Sequence, residues 1–292
     1  MRAGRPGVVE VPYDNPGQPR LGVEVVSFAD LRCRLRPEVA AAPSRPDFHQ
    51  LTLVTAGEGT AVIDFVAHRC APGTLLHLRP GQVQRFPVDS TGGLADLDAT
   101  MVLFTAAFPP PLPALASLTD HGPAAWTLGP ADHSVLTSAV AEIAGEYAGL
   151  AERDKTLTVE LLRHLLTALL LRVARLPRPD GGDPAAGGEV FRDFRALLEK
   201  SFATTRSVDA YASRLGYAPR TLARACLAAT GRTAKQLIDD RVVLEGKRLL
   251  VHTDLPVSTI GGMLGFTEPT NFGKFFERLA HSTPGAFRAD QA

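Results

Sequence analysis

Two short groups of side chains in this chain have the chemistry of nucleic-acid recognition, and they come in the same order twice. Arg220, Thr221 and Arg224 follow a glycine at position 216. Thr270, Asn271 and Lys274 follow Gly265, with Arg278 four residues beyond. Guanidinium and ammonium groups reach phosphate oxygens, arginine also pairs with guanine edges, and asparagine pairs with adenine. A different chemistry is suggested by His49, His77 and Gln84. Imidazole suits zinc, iron or copper, but there is no His-x-His pair, and an amide at position 84 is a poor ligand. Lone histidines on strands are more often packed or hydrogen-bonded than metal-bound. Cys33, Cys70 and Cys226 lie far apart and have no metal-ligand spacing, which points to a reducing, cytoplasmic setting. There is no nucleophile elbow, no phosphate loop and no HExxH, and the Gly57 to Gly59 turn lacks the third glycine of a dinucleotide loop. The expectation is therefore no catalytic residues, no metal and no cofactor.

The first groups need helices to position them, and the flanking pattern supplies these. From Val208 to Gly216 and from Val257 to Gly265 the chain reads as a short helix ending in a glycine turn. A second helix then opens near Pro219 or Pro269. Ala212 and Gly261 each precede the turn glycine by one helical turn on the same face, and small side chains there let the second helix cross closely. The turn glycine suits a left-handed conformation that a Cβ would penalise. Leu222 and Phe272 would plug the small cores beneath, which leaves the polar groups facing outward. This is a helix-turn-helix in form, written twice. One copy would be as consistent with a solvated helix face; two copies in about eighty residues favour DNA.

The last third of the chain resembles the AraC/XylS transcription regulators. The resemblance rests on the two motifs, on Gly231 closing the first recognition helix, and on a joining helix through Arg241 and Leu250. It rests above all on the tail, with the Phe275-Phe276 pair and the run Pro284 to Arg288. It implies sequence-specific binding of double-stranded promoter DNA, a homodimer and, for an activator, contact with RNA polymerase. Reading successive major-groove segments needs about 34 Å between the two recognition helices. The joining helix, with Ile238, Val242 and Leu249 on one face and Gly246 between, would set that separation. Several positions depart from the family pattern. Gly246 and Gly261 stand where alanine is common, which lowers helix propensity by about 1 kcal/mol each. His281 replaces a capping glycine, Glu277 a lysine, and Ala223 a polar base-reading residue.

Ahead of that module, short apolar runs alternate with glycine and proline turns. They span 49–54, 61–66, 75–78, 83–88 and 97–104, which predicts an antiparallel barrel or jelly roll. The Gly57 to Gly59 turn, Pro72-Gly73 and the run Pro80 to Val83 resemble the cupin-like sensor domain that precedes the DNA-binding module in many AraC relatives. A small barrel of this kind can hold one small ligand, so a small-molecule effector is implied. The lining expected from one strand parity is His49, Leu51, Leu53, Ile63, Phe65, His77 and Gln84.

Two helices are predicted next, over 131–150 and 156–176. In the second, Leu161, Leu162, Leu165, Leu166 and Leu169 recur at helical spacing in a stripe wide enough to need covering on more than one side, and a dimer interface is expected there. Residues 177–188 read as a linker. The fold class expected is α+β and multidomain: a cupin-like barrel with arm over 1–130, a helical dimerisation segment over 131–176, and an all-α tandem helix-turn-helix domain over 189–292. Net charge is zero, but from Glu189 onward 15 Lys/Arg stand against 11 Asp/Glu, a net +4 balanced by −4 before it. That balance argues against a non-specific polyanion binder and places a mild positive excess on the motif-bearing end. No signal peptide and no membrane span are read. The function expected is an effector-controlled transcription regulator. The alternatives are a regulator that acts constitutively without effector and a cupin-type enzyme tethered to DNA.

Overall fold

The computed structural model describes residues 8–35, 42–112, 122–177 and 188–290, with positions 40, 115 and 118. The linker expected over 177–188 therefore lies outside the described residues except at its two ends, as do the first seven residues of the expected arm. The chain divides into two compact units, Val8–Pro179 and a second containing Asp180–Ala292.

The first unit is built on two five-stranded sheets. One has the order β1 (Val9–Val11), β3 (Ser44–Pro46), β8 (Gln84–Val88), β5 (Gly59–Ile63), β6 (Val66–Cys70). The other has β10 (Ala125–Thr127), β7 (Thr74–Leu78), β4 (His49–Gly57), β9 (Leu97–Phe104), β2 (Val23–Ser27). All the named pairings are antiparallel except the short β1–β3 edge. The two sheets face each other, and among the described residues they do not close into the expected barrel. Between them lies a core of Val54, Ala61, Leu76, Phe86, Met101 and Leu103, closed by Phe28 from the short helix α1 (Phe28–Arg34). Glycine is obligatory at the β4–β5 turn: Gly57 has φ +83°, and a Cβ there would meet the Asp96 carbonyl at 2.3 Å.

Strand alternation assigns opposite faces to neighbouring residues, and it corrects the expected lining. Leu51 and Leu53 point out of the inter-sheet space, with Leu75, Val102 and Phe104. They pack against two long helices, α2 (Pro130–Ala148) and α3 (Lys155–Ala174), through Leu136, Ile143, Leu162, Leu166 and Leu170. His49 and His77 share that parity, and His49 stacks on Phe104 with ring centroids 4.8 Å apart. Phe65 is not on a strand at all. It and Asp64 form the two-residue β5–β6 hairpin turn with φ +70° and +48°, the positive-φ pair that such a loop demands. The Asp64 carboxylate holds the turn by accepting from Gln82 Nε2 at 2.8 Å and the Val83 amide at 3.1 Å.

The second unit is all helical: α4 (Gly188–Ser201), α5 (Val208–Leu215), α6 (Pro219–Thr230), α7 (Ala234–His252), α8 (Val257–Met263), α9 (Pro269–Ala280) and α10 (Pro284–Asp290). Its apolar residues form two clusters. Phe194, Tyr211, Ala212, Leu222 and Ile238 make the first; Val242, Leu250, Ile260, Phe272 and Phe276 make the second. The joining helix α7 belongs to both, with Ile238 fully buried in one and Val242 in the other. Its start is fixed by a reciprocal capping box between Thr233 and Gln236.

Candidate nucleic-acid interface

Each helix-turn-helix is set by a glycine and a buried plug. Gly216 ends α5 with φ +73°, and Gly265 follows α8 with φ +75°. Leu222 and Phe272 are both fully buried. At Gly261 an added Cβ would lie 3.1 Å from Phe272 Cβ, so α9 crosses α8 closely because that position has no side chain. With the plugs inside, Arg220 and Arg224 on α6 and Thr270, Asn271 and Lys274 on α9 are exposed, while Thr221 and Ala223 are half-buried. Among the described residues Arg220, Arg224 and Lys274 have no hydrogen-bond or ion-pair partner. Their charge is left to solvent or to a ligand.

The starts of α6 and α9 reinforce this. Each opens on proline, after Ala218 or Glu268, and neither preceding residue caps the helix with its side chain. Proline has no N–H, and the Thr221 and Asn271 amides donate to the Ala218 and Glu268 carbonyls, so one amide at each start, that of Arg220 or Thr270, is left with the helix dipole behind it to favour a phosphate oxygen. By contrast α5 is closed by Ser207, whose hydroxyl accepts from the Ala210 amide.

Arg278 differs from the other six residues. Its guanidinium lies 3.4 Å from the Asp239 carboxylate of α7 and 5.7 Å from the Phe275 ring centre. Asp239 is buried and also takes Lys235. Arg278 thus ties the second recognition helix to the joining helix with one edge and keeps the other outward. A second tie escaped sequence reading. Arg206, in the loop before α5, stacks its guanidinium 3.7 Å from the Phe266 ring centre and donates to the Leu264 and Gly265 carbonyls at 3.1 and 3.3 Å. An arginine in a loop carries no pattern that announces such a partner. Arg241 does the same between α4 and α7, stacked on Phe202 and paired with Glu199 and Glu245. Burial pushes the Glu245 carboxyl up, but Arg241 and Arg248 outweigh it and hold the group below its usual range.

In the sheet unit, the inter-sheet space is lined by Gln50, Thr52, Ile63, Leu76, Gln84 and Met101 among others. Gln50 and Gln84 face each other across it with reciprocal 3.3 Å amide contacts, and Gln50 also donates to Thr52. Of the expected lining residues, Ile63 and Gln84 lie here and the other five do not. The free volume is ≈ 10 Å³, room for about one water. On the opposite sheet face, His49 Nδ1 and His77 Nε2 lie 3.3 Å apart. Burial first, then the charge of Arg79, lowers the His49 pKa to about 4 and places His77 well below its ordinary value. Both rings are neutral at pH 7. No group of three metal-ligating side chains occurs among the described residues.

The leucine stripe of α3 is also redistributed. Leu162, Leu166 and Leu169 are at most 1 % exposed and belong to the domain core. Leu165 is half-buried against that core, and of the five only Leu161 is open, at 43 %. The apolar face turned to solvent is a different one, carrying Leu157, Leu161 and Leu171. No described helix is long and apolar enough to cross a membrane.

Comparison with known proteins agrees with both halves. A family model described as an AraC-like ligand binding domain matches residues 36–166, and one described as a helix-turn-helix domain matches residues 211–290. In both halves the chain is similar to AraC-type regulators. Its relatives include the HTH-type transcriptional activator RhaS of Enterobacter sp. (strain 638), 26% identical over 265 residues, covering 86% of this chain and 89% of that protein. RhaS of Salmonella schwarzengrund (strain CVM19633) is 24% identical with the same coverage. Among solved structures, ToxT from Vibrio cholerae O395 aligns with a TM-score of 0.40 and 10% identity over 84% of this chain and 90% of that one. The protein is a DNA-binding transcription regulator.

Proposed function

We infer that this AraC-type regulator reads promoter DNA with two recognition helices per chain, as a homodimer in the cytoplasm, under the control of a small molecule bound by the sheet unit. The observation that carries the DNA reading is the pair of exposed helix faces with unpaired Arg220, Arg224 and Lys274, each backed by a fully buried plug. Arg220, Thr221 and Arg224 are assigned to the first half of the site and Thr270, Asn271 and Lys274 to the second. Arg278 is assigned to holding α9 on α7 as well as to phosphate. For dimerisation the candidate surface is the open apolar face of α3, with Leu157 70 % exposed and Leu161 beside it one turn away. The boundary between the sensing and DNA-binding parts is placed at 177–188. A chain that activates would also meet RNA polymerase.

The test is a gel-shift titration at fixed salt with DNA from upstream of its own and neighbouring genes, against an unrelated fragment. A strong preference for one fragment that holds as salt is raised supports the reading. Equal and steeply salt-sensitive binding to all fragments, with and without candidate effectors, means that phosphate contacts dominate and sinks it.

A further inference from the structure

The inter-sheet space has no room for an effector as it stands, but another part of the same unit does. A cleft of ≈ 340 Å³ lies between the segment Gln18 to Gly22, Phe108 after β9, and the first three turns of α3. That volume is within the range of small-molecule sites, about 300–1,000 Å³. The apolar part of its wall comes from Pro19, Leu21, Phe108 and Val159, and its polar part is cationic, from Arg20, Lys155 and Arg163. No carboxylate lines it among the described residues.

Two of these cations, Arg20 and Lys155, have no carboxylate partner among the described residues. Arg20 has no partner among the described residues, and Lys155 reaches only the neutral Gln18 Oε1 at 3.4 Å. Arg163 is fixed in place: it donates to the Phe108 carbonyl at 2.7 Å and sits 4.8 Å from the Phe108 ring centre. Its Nε lies 3.6 Å from the Glu160 carboxylate, an ion pair too long to be a hydrogen bond, so that donor has a charged neighbour but no hydrogen-bonding acceptor. Asp154, the other acid nearby, is occupied in capping α3 at the Thr156 and Leu157 amides. Gly22 lets the wall close in, since a Cβ there would meet Thr105 Oγ1 at 2.8 Å and Phe108 at 3.2 Å.

We propose that this cleft binds a small organic anion with an apolar body, its anionic end held by Arg163 and Lys155 with Arg20 at the rim and its body against Leu21, Phe108 and Val159. The site is separate from the inter-sheet space and from the DNA-reading helices, and its existence does not depend on either.

The test uses the full-length protein, the fluorescent probe 8-anilinonaphthalene-1-sulfonate, and displacement by octanoate or by its uncharged counterpart octanamide. The expected result is saturable probe binding that octanoate displaces far better than octanamide. In the R20Q/K155Q variant, in which both altered side chains are on the surface, octanoate should weaken about tenfold, the size of two partly exposed charge contacts, while octanamide is unchanged. Val159→Phe, which fills the apolar wall, should weaken both. Absence of saturable displacement, equal displacement by acid and amide, or unchanged octanoate affinity in R20Q/K155Q each overturns the proposal. Gel shifts with the same variants should match the unaltered protein, so failure here leaves the DNA reading intact.

Discussion

The two turn glycines have the same backbone but different surroundings, so substitution by alanine should separate their costs. Gly216 has φ +73° and open space around a would-be Cβ. Gly265 has φ +75°, and its Cβ would lie 2.3 Å from the Ala203 carbonyl oxygen. A left-handed L-residue costs about 1–2 kcal/mol, and that cost applies to both. At Gly265 the Cβ is also well inside contact distance of a backbone atom, so the loop from Ala203 to Arg206 must move. Overpacking of this kind adds about 1–3 kcal/mol. Gly216→Ala should therefore cost about 1–2 kcal/mol and Gly265→Ala about 2–5 kcal/mol.

The moving loop also carries Arg206, whose hydrogen bonds end on the Leu264 and Gly265 carbonyls, so the second substitution should loosen that tie. The assay is native-state hydrogen exchange on the full-length protein, read on peptides from α5–α6 and from α8–α9. Each 1.4 kcal/mol of local stability is about a tenfold change in protection. G216A should lower protection about tenfold around α5 and α6. G265A should lower it by about one and a half to three and a half orders of magnitude around α8 and α9, about 2–5 kcal/mol. If G265A costs no more than G216A, the close packing of Ala203 on the second turn is not a feature of the protein in solution.

Four further expectations are open to measurement. Arg224→Ala should weaken binding to a preferred fragment by about 1–3 kcal/mol and relax its sequence preference if the guanidinium reads a base; gel shifts against single-base variants check this, and unchanged affinity and preference would remove Arg224 from the interface. Leu161→Asp should shift a dimer towards monomer in sedimentation, whereas Leu162→Asp, at a position with no exposure, should unfold the sheet unit instead; a dimer that survives Leu161→Asp and Leu157→Asp together dismisses the α3 face. The sheet unit should lose stability as pH falls. His49 has a folded pKa lowered from 6.5 to about 4, so its contribution is complete above pH 6.5 and is lost as pH falls towards 4, a change of about 3 kcal/mol. Urea unfolding followed by Trp126, the single tryptophan, should show this slope, and His49→Asn should lessen it, with buried His77 keeping the remainder. Finally, His281 closes α9 with φ +57°, so His281→Gly should stabilise the second cluster by about 0.5–1 kcal/mol, and unchanged protection of α9 would count against strain there.

The helical half was more legible than the sheet half for a physical reason. In the C-terminal unit each element is short, and its punctuation is written in residue types with one conformational meaning: Gly216 and Gly265 for left-handed turns, Pro219 and Pro269 for helix starts. The sheets offered strands but not faces. Residues 49–54 are buried on both sides of the sheet, one side against α2 and α3 and the other against the second sheet, so hydrophobicity could not say which parity points between the sheets. The polar pair Gln50 and Thr52 was the available signal. They read as the outward half of an alternating strand, yet their amide and hydroxyl satisfy each other and Gln84 inside. The α3 stripe failed in a related way. A helix lying on a sheet and beside another helix is apolar over most of its circumference, so Leu162, Leu166 and Leu169 were indistinguishable by type from Leu161.

The ties that escaped sequence reading also bear on how the DNA-binding unit works. Two helix-turn-helix cores on one chain read a continuous site only if their separation is fixed, and apolar burial alone is non-directional. Here the first half of the joining helix, and the loop before α5, are anchored by groups that are directional. Asp239 takes Lys235 and Arg278 where α7 meets α9, Arg241 bridges Glu199 and Glu245 where α7 meets α4, and Arg206 runs from the α4–α5 loop to the second turn. With 19 residues and 1.5 Å of rise each, α7 is about 28 Å long, and it is held by apolar contacts to both clusters. Neutralising Asp239 with Asn should therefore leave each core folded, since neither cluster loses an apolar contact, but should loosen α9 on α7. Binding to a two-part site would fall more than binding to either half alone. Equal losses on whole and half sites would show that Asp239 serves folding and not spacing.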